Sequence, residues 1–175
     1  MTPIAFEQCP QFKKGEVAEK IIVEKMERSG FVVYRPQTAG AHAFDILAIK
    51  DKRQAIALDI KAKAQRTYFK DTGINVSHHR VYVEFSLSHN MPFWLVFVDE
   101  AAKLIYGNTL DELDKTREIG GRVYPMIADT RSGQIIFWHL DSMIQLGKIP
   151  DEAAQNLKDL STRKYEYKTE GAPRV

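Results

Sequence analysis

Cysteine is nearly absent from this chain of 175 residues, since Cys9 is its only example. A lone cysteine excludes an intrachain disulfide framework and any zinc site built on a pair of cysteines. The first residues carry no charged-then-apolar signal pattern, and no run approaches the roughly 18 apolar residues of a membrane helix. We therefore expect a cytoplasmic protein without a membrane partner.

The chain also lacks a strong charge of either sign. Its 25 Lys and Arg residues stand against 23 Asp and Glu residues, which leaves a formal net charge of +2. A basic surface for nucleic acid would therefore have to be local. The length, with 44% hydrophobic and 27% charged residues, is typical of one soluble globular domain with a substantial core.

The elements predicted for the first half favour an α/β fold with a mixed central sheet. Apolar residues at helical spacing, ended by Gly30, predict the first helix, and the second helix is expected to turn Val76, Val81 and Phe85 inward. In order, we predict a helix over 16–29, a strand over 31–35, two strands joined by a turn within 43–63, an exposed loop over 64–74, a helix over 75–88 and a strand over 93–98 that is buried on both faces.

The second half is less periodic. It suggests a strand over 103–106, a short helix over 110–118, a hairpin with strands 123–129 and 134–140, a last helical turn from Asp141 to Leu146, and a polar helix over 151–160. We therefore predict a domain over 1–146, with its core over about 13–108 and an added hairpin over about 122–140. Residues 147–175 would form a C-terminal extension, loosely ordered from 161 onward.

A D…DxK pattern lies on the hairpin between Ala43 and Lys63. Strand side chains alternate between faces, so Asp59 and Lys61 point the same way and Ile60 points the other. If the strands pair, Asp45 lies beside Asp59. Two adjacent carboxylates repel each other unless a cation holds them, and a divalent cation is the simplest candidate. The alternative is a strand cap at Asp45 and an ordinary surface ion pair between Asp59 and Lys61.

Glu19 lies on or beside the apolar stripe of the first helix, one turn before Ile22 and Val23. A carboxylate on the packing side of a helix is unusual. It is either a boundary residue paired with a nearby cation or part of a site.

These features together resemble the PD-(D/E)xK nuclease superfamily, and most closely its archaeal Holliday junction resolvase-like branch, over residues 13–98. Phe44 stands where the family usually has Pro, and Asp59 stands where it more often has Glu. The residues that carry the resemblance are Gly15, Glu19, Gly30, Phe31, Arg35, Asp45, Asp59 and Lys61.

The resemblance implies a restriction endonuclease-like fold with an αβββαβ core and a Mg²⁺ site that also accepts Mn²⁺. Asp45 would be the main metal ligand, Asp59 the second, and the Ile60 carbonyl the third. Glu19 would bind a second metal or its water, and Lys61 would orient the attacking water. The implied catalytic set is Glu19, Asp45, Asp59 and Lys61.

The function implied is metal-dependent endonucleolytic cleavage of double-stranded or branched DNA, with junction resolution by a homodimer as the leading possibility. The alternatives are a restriction, phage or repair nuclease, or a DNA-binding protein that keeps the fold without cleaving. Phosphate contacts would come from the basic residues around the site, namely Arg35, Lys13, Lys14, Lys63, Arg66 and Lys70.

Overall fold

The structure is a computed structural model, and it describes residues 9–36, 43–51, 55–131 and 133–161. In chain order its elements are α1 (Pro10–Arg28), β1 (Val32–Tyr34), β2 (Ile46–Ile49), β3 (Ile56–Ala62), β4 (Asp71–Asn75), α2 (Val76–His89), β5 (Phe93–Asp99), β6 (Leu104–Thr109), α3 (Leu110–Leu113), β7 (Arg117–Ile119), β8 (Arg122–Tyr124), β9 (Met126–Thr130), β10 (Gly133–His139), a 3-10 turn (Leu140–Ser142), β11 (Ile144–Lys148) and α4 (Asp151–Asp159).

A six-stranded mixed sheet forms the centre, in the order β1-β2-β3-β5-β6-β11. Strands β3 and β5 run parallel, and the other neighbours in this sheet are antiparallel. One apolar cluster joins α1 and α4 to one face, through residues such as Ala18, Ile22 and Leu157. A second cluster joins α2 and β10 to the other face, through Tyr82, Phe93 and Trp138. The predicted fold class, a mixed sheet flanked by helices, is confirmed.

A second sheet, in the order β4-β10-β9, contains a segment that the sequence led us to expect as an exposed loop. The predicted loop over 64–74 is confirmed for 64–70, which form no helix or strand, and was wrong for 71–74, because Asp71, Thr72, Gly73 and Ile74 are all buried in β4. Gly73 permits the close pairing with β10, since a Cβ at this position would lie 2.1 Å from the Ile136 carbonyl oxygen. Because β4 is rich in polar residues and pairs with β10, some sixty residues later in the chain, the local sequence does not indicate a strand here.

The second helix was placed correctly, but its inward face was partly misassigned. Val76 is buried, as expected, whereas Val81 is 46% exposed and its neighbour Tyr82 is only 5% exposed. The rotation follows from two contacts: the Tyr82 ring stacks on Phe93 at 4.8 Å, and its hydroxyl donates to Asp59. Hydropathy alone ranks Val above Tyr and therefore misses this orientation.

Three further predictions need correction. Helix α1 begins at Pro10 rather than at 16, since proline is tolerated in the first turn of a helix. The helix over 110–118 shrinks to α3, and β7 follows it. The expected turn through Leu146 is a 3-10 turn followed by β11, which pairs with β6 at the edge of the main sheet. The strand at 103–106, the second hairpin and the polar helix near the end are confirmed as β6, β9–β10 and α4.

No helix in the described part of the chain is long and apolar enough to cross a membrane.

Candidate active site at the open end of the β2–β3 hairpin

The two aspartates of the D…DxK pattern lie opposite each other where β2 begins. The register pairs Ile46 with Leu58, which places Asp45 across from Asp59. The Asp45 N–H donates to the Leu58 carbonyl at 2.9 Å, and the Ile60 N–H donates to Asp45 Oδ2 at 2.7 Å. The predicted pairing of the two strands is confirmed, and the Asp45 carboxylate reaches the backbone directly after Asp59.

The alternation of β3 decides which face of the sheet the site occupies. Leu58 and Ile60 belong to the apolar cluster beneath α1, whereas Ala57 belongs to the cluster beneath α2. Since strand side chains alternate, Asp59 and Lys61 share the face of Ala57. Ile46 and Ala48 face α1, so Asp45 points to the α2 side as well. Asp45, Asp59 and Lys61 therefore lie on one face.

Asp59 is the most deeply buried group of this site, at 4% exposure. Its Oδ1 accepts hydrogen bonds from the Tyr82 hydroxyl at 2.7 Å and from Lys61 Nζ at 2.9 Å. Its Oδ2 lies 2.8 Å from the same Nζ, yet the geometry is not that of a hydrogen bond, so Oδ2 is a buried oxygen with no donor among the described residues. A buried carboxylate oxygen without a donor is costly unless a cation lies next to it, and here that cation is the Lys61 ammonium.

Tyr82 is a site residue that sequence reasoning missed. Burial, and then the charge of Asp59, raise the pKa of Tyr82 well above that of an ordinary phenol, so its hydroxyl stays a proton donor. Lys61 Nζ also lies 5.8 Å from the centre of the Tyr82 ring. The ring therefore borders both the carboxylate and the ammonium. The only signal in the sequence was an aromatic residue on the helix that follows the hairpin.

The oxygen atoms at this end of the hairpin fit a hard divalent cation. In a strand, the N–H and C=O of one residue point to the same side. Because the Ile60 N–H points to Asp45, the Ile60 carbonyl faces the same edge. Two carboxylates and one carbonyl are ligands that Mg²⁺ and Mn²⁺ prefer. The observation that favours such an ion is the bond from the Ile60 N–H to Asp45 Oδ2, which brings that carboxylate to the backbone directly after Asp59.

Glu19 does not join this group. Helix α1 packs on the opposite face of the sheet, and Glu19 Oε2 lies 3.8 Å from Arg35 Nη2, just beyond β1. Within the described residues, no three His, Cys, Asp or Glu side chains come close enough together to hold a metal ion. The structure therefore brings together Asp45, Asp59, the Ile60 backbone and Lys61, and it places Glu19 with Arg35.

The basic residues expected around the site differ in how far a carboxylate or carbonyl group already binds them. Lys14 is buried against Glu100 at 2.6 Å, and Arg66 donates to both carboxylate oxygens of Asp71. Hydrogen bonding to Asp71 raises the pKa of Arg66 above its ordinary value. Lys63 Nζ donates to the Gly73 carbonyl at 2.5 Å. Of the remaining three, Arg35 contacts Glu19, Lys70 pairs with Asp141 at 2.7 Å, and Lys13 is exposed.

A second buried polar cluster, which the sequence did not indicate, follows β5. Asp99 and Glu100 are both fully buried. Asp99 accepts from the Tyr106 hydroxyl and from three backbone N–H groups, and Glu100 Oε1 accepts from Lys14 and Ser161. Burial and the charge of Asp99 raise the pKa of Tyr106 far above the phenol range. An acidic pair directly after the apolar run was the only signal.

Comparison with known proteins finds likeness among solved structures. The chain is similar to Hjc, a Holliday junction resolvase from the archaeal hyperthermophile Archaeoglobus fulgidus, with 16% identity, a TM-score of 0.48, and coverage of 80% of this chain and 99% of that one. It is also similar to D212, a nuclease from a fusselovirus, with 13% identity, a TM-score of 0.46, and coverage of 83% and 93%. No family model and no curated protein matches the sequence.

Proposed function

We propose that the protein is a metal-dependent endonuclease that hydrolyses DNA phosphodiester bonds. One observation carries the proposal: the Asp45 carboxylate is bound to the Ile60 N–H, directly after Asp59, and Lys61 Nζ lies against the Asp59 carboxylate. This is a set of oxygen ligands with a cation next to it. Phosphodiester hydrolysis needs such a set to hold a metal and to offset the charge that develops on the phosphate.

Each residue has a part that follows from its position. Asp45, Asp59 and the Ile60 carbonyl would hold the ion, and Tyr82 fixes Asp59 through Oδ1. A bound Mg²⁺ would supply a water of lowered pKa and a positive charge next to the phosphoryl oxygens. Lys61, which is 29% exposed, reaches the solvent side of the pair and can donate to the attacking water or to a phosphoryl oxygen. Glu19 would influence the reaction only indirectly, through its ion pair with Arg35 at the edge of the sheet.

A finer form of the proposal is cleavage of branched DNA by a homodimer. A four-way junction has two-fold symmetry, so two equivalent sites on a symmetric dimer would cut it symmetrically. Recombination and repair are the settings in which such an activity is used. Mn²⁺ is expected to substitute for Mg²⁺, because both prefer oxygen ligands.

The direct test is cleavage of a labelled four-way junction and of a matched linear duplex with Mg²⁺. Wild type is compared with Lys61→Ala and with Lys20→Ala, a control that removes an exposed lysine from α1. We expect wild type and the control to cut, and Lys61→Ala to be slower by about a hundredfold or more. Paired nicks in the junction alone support a resolvase, and equal cutting of both DNAs leaves a general nuclease. No cutting with Mg²⁺ or Mn²⁺ contradicts the proposal.

A DNA-binding protein that does not cleave is the second candidate. It is favoured by the separation of Glu19 from the aspartates and by the contact of Lys61 Nζ with both oxygens of Asp59. In that case the ammonium would take the place of the metal. Binding of Mn²⁺ separates the two candidates, because a carboxylate pair already neutralised by Lys61 would not take up the ion.

A further inference from the structure

The loop between β3 and β4 carries three cations and no acid, in the sequence KAQRTYFK from Lys63 to Lys70. It leaves the sheet after Ala62, the residue that follows Lys61. Tyr68 is seven residues further on, so it lies within about 24 Å of Lys61 even at full extension. That distance spans about seven base pairs of a duplex. A nucleic acid held at the candidate active site therefore has this loop within reach.

The loop is held by a buried anchor. Arg66 Nε and Nη2 donate to the two oxygens of Asp71 at 2.5 and 2.6 Å, and Asp71 is fully buried. The Arg66 N–H also donates to the Asp71 carbonyl at 2.9 Å, which closes the loop. Tyr124 adds a third side-chain bond to Asp71 at 3.0 Å. A bidentate pair with these supports fixes the loop backbone.

Arg122 of β8 is positioned by the same loop but keeps its charge unmatched. Its guanidinium lies 4.1 Å from the centre of the Phe69 ring, and that of Arg66 lies 4.4 Å from the same ring. Arg66 is neutralised by Asp71, whereas Arg122 is exposed and forms no ion pair with a carboxylate in the described part of the chain. Stacking restrains the guanidinium while its N–H donors remain available for a phosphate.

Tyr68 stands at the tip of the loop with 83% of its surface exposed. An aromatic ring in this position contributes little to the core. On a restrained loop it loses little conformational freedom when a flat partner stacks on it. Nucleic-acid bases are such partners, provided that they are not already stacked within an intact duplex.

We propose that Tyr68 and Arg122 form a nucleic-acid contact beside the candidate active site, in which Arg122 binds a backbone phosphate and Tyr68 stacks on an unpaired base. The contact rests on the proposed function, because the strand that it binds is the one that enters the site. If Tyr68 stacks in this way, the protein binds DNA that contains unpaired bases more tightly than an intact duplex.

The phosphate contact is tested by fluorescence anisotropy with labelled DNA in EDTA, at a series of salt concentrations. Arg122→Gln is compared with Arg28→Gln, which removes the same charge from an exposed position on α1, on the other face of the sheet. We expect the slope of log affinity against log salt to fall by about one for Arg122→Gln and to stay unchanged for the control. An unchanged slope for Arg122→Gln would overturn the phosphate contact.

The stacking contact is tested with Tyr68→Leu on a single strand and on a matched duplex. Leu87→Ala serves as the control, since Leu87 is 76% exposed on α2. We expect about a tenfold loss of affinity for the single strand and little change for the duplex. The melting temperature should not move, because Tyr68 is exposed. Unchanged binding, or an equal loss for both DNAs, would overturn the stacking contact.

Failure of this contact and failure of the proposed function give different results. Cleavage by wild type, together with unchanged binding by both variants, overturns the contact and leaves the nuclease. Wild-type binding with the expected losses in the variants, but without any cleavage, supports the contact and overturns the nuclease. A wild-type protein that binds neither DNA overturns both.

Discussion

Two buried carboxylate clusters, each with a lysine and a tyrosine, lie at the ends of the neighbouring parallel strands β3 and β5. Each contains one carboxylate oxygen without a hydrogen-bond donor among the described residues, Asp59 Oδ2 and Glu100 Oε2, and the clusters differ in how far they open to solvent. Around Asp99 and Glu100, backbone N–H groups, Tyr106 and Ser161 supply donors, and the side chain of Lys14 is only 10% exposed. Around Asp59, the donors are Lys61 and Tyr82, and the Lys61 side chain is 29% exposed.

The difference separates a structural cluster from a candidate site. The cluster after β5 joins α1, β5 and Ser161, two residues past the end of α4, so it fixes elements of the fold to one another. The cluster at the hairpin joins only neighbouring elements, lies beside a second carboxylate and opens to solvent. Similar residue types thus stabilise the fold where they are enclosed and are available for chemistry where they are accessible.

The largest effect that would test this comparison is the loss of DNA cleavage in the Asp45→Asn variant. The amide oxygen can still accept from the Ile60 N–H, so the hairpin should fold, but the negative charge offered to a metal is lost. We expect cleavage to fall by about a thousandfold, or about 4 kcal/mol in activation free energy. A nicking assay measures this, with circular dichroism as the check on folding. Cleavage within a few-fold of wild type would remove Asp45 from the site.

The next largest effect is on stability, from Lys14→Ala. It leaves Glu100 buried without its cation, and breaking a buried pair in this way costs about 3–5 kcal/mol. Lys61→Ala should cost less, because water can enter the partly exposed space and Tyr82 still donates to Asp59. Urea unfolding of both variants gives the two free energies. Equal losses, or a greater loss for Lys61→Ala, would contradict the distinction between an enclosed and an open cluster.

A matched pair of tyrosine variants sharpens the comparison. Tyr82→Phe and Tyr106→Phe each remove one hydroxyl that donates to a buried carboxylate, and each should lower the free energy of unfolding by about 1–2 kcal/mol. Only Tyr82→Phe should weaken Mn²⁺ binding, by about tenfold, because Tyr82 orients a proposed ligand. Isothermal titration calorimetry with Mn²⁺ measures this without DNA. A Tyr82→Phe protein that binds Mn²⁺ as wild type does would leave Tyr82 with a structural role only.

Local features of the molecule were predictable, and those that depend on distant partners were not. The positions of Asp45 and Asp59 follow from alternation and pairing within some fifteen residues. Strand β4 could not be predicted without knowing that it pairs with β10, and its first residue, Asp71, does not fit the apolar pattern of a buried strand. Glu19 was placed correctly near a buried stripe, but a helical pattern does not say which face of the sheet the helix will cover.

The smallest predicted effect is a dependence of stability on high pH, which the enclosed cluster shares with the hairpin cluster because the pKa values of Tyr106 and Tyr82 are both raised. The raised pKa of Tyr106 means that the unfolded chain releases this proton near pH 10, whereas the folded protein retains it. The stabilisation is therefore complete below pH 10 and is lost as the pH rises above it. Relative to Tyr106→Phe, wild type should lose about 1 kcal/mol between pH 10 and pH 11. Urea unfolding of both proteins at each pH gives this difference. A constant difference would mean that the phenol ionises equally easily in both states, and the cluster after β5 would then not be enclosed.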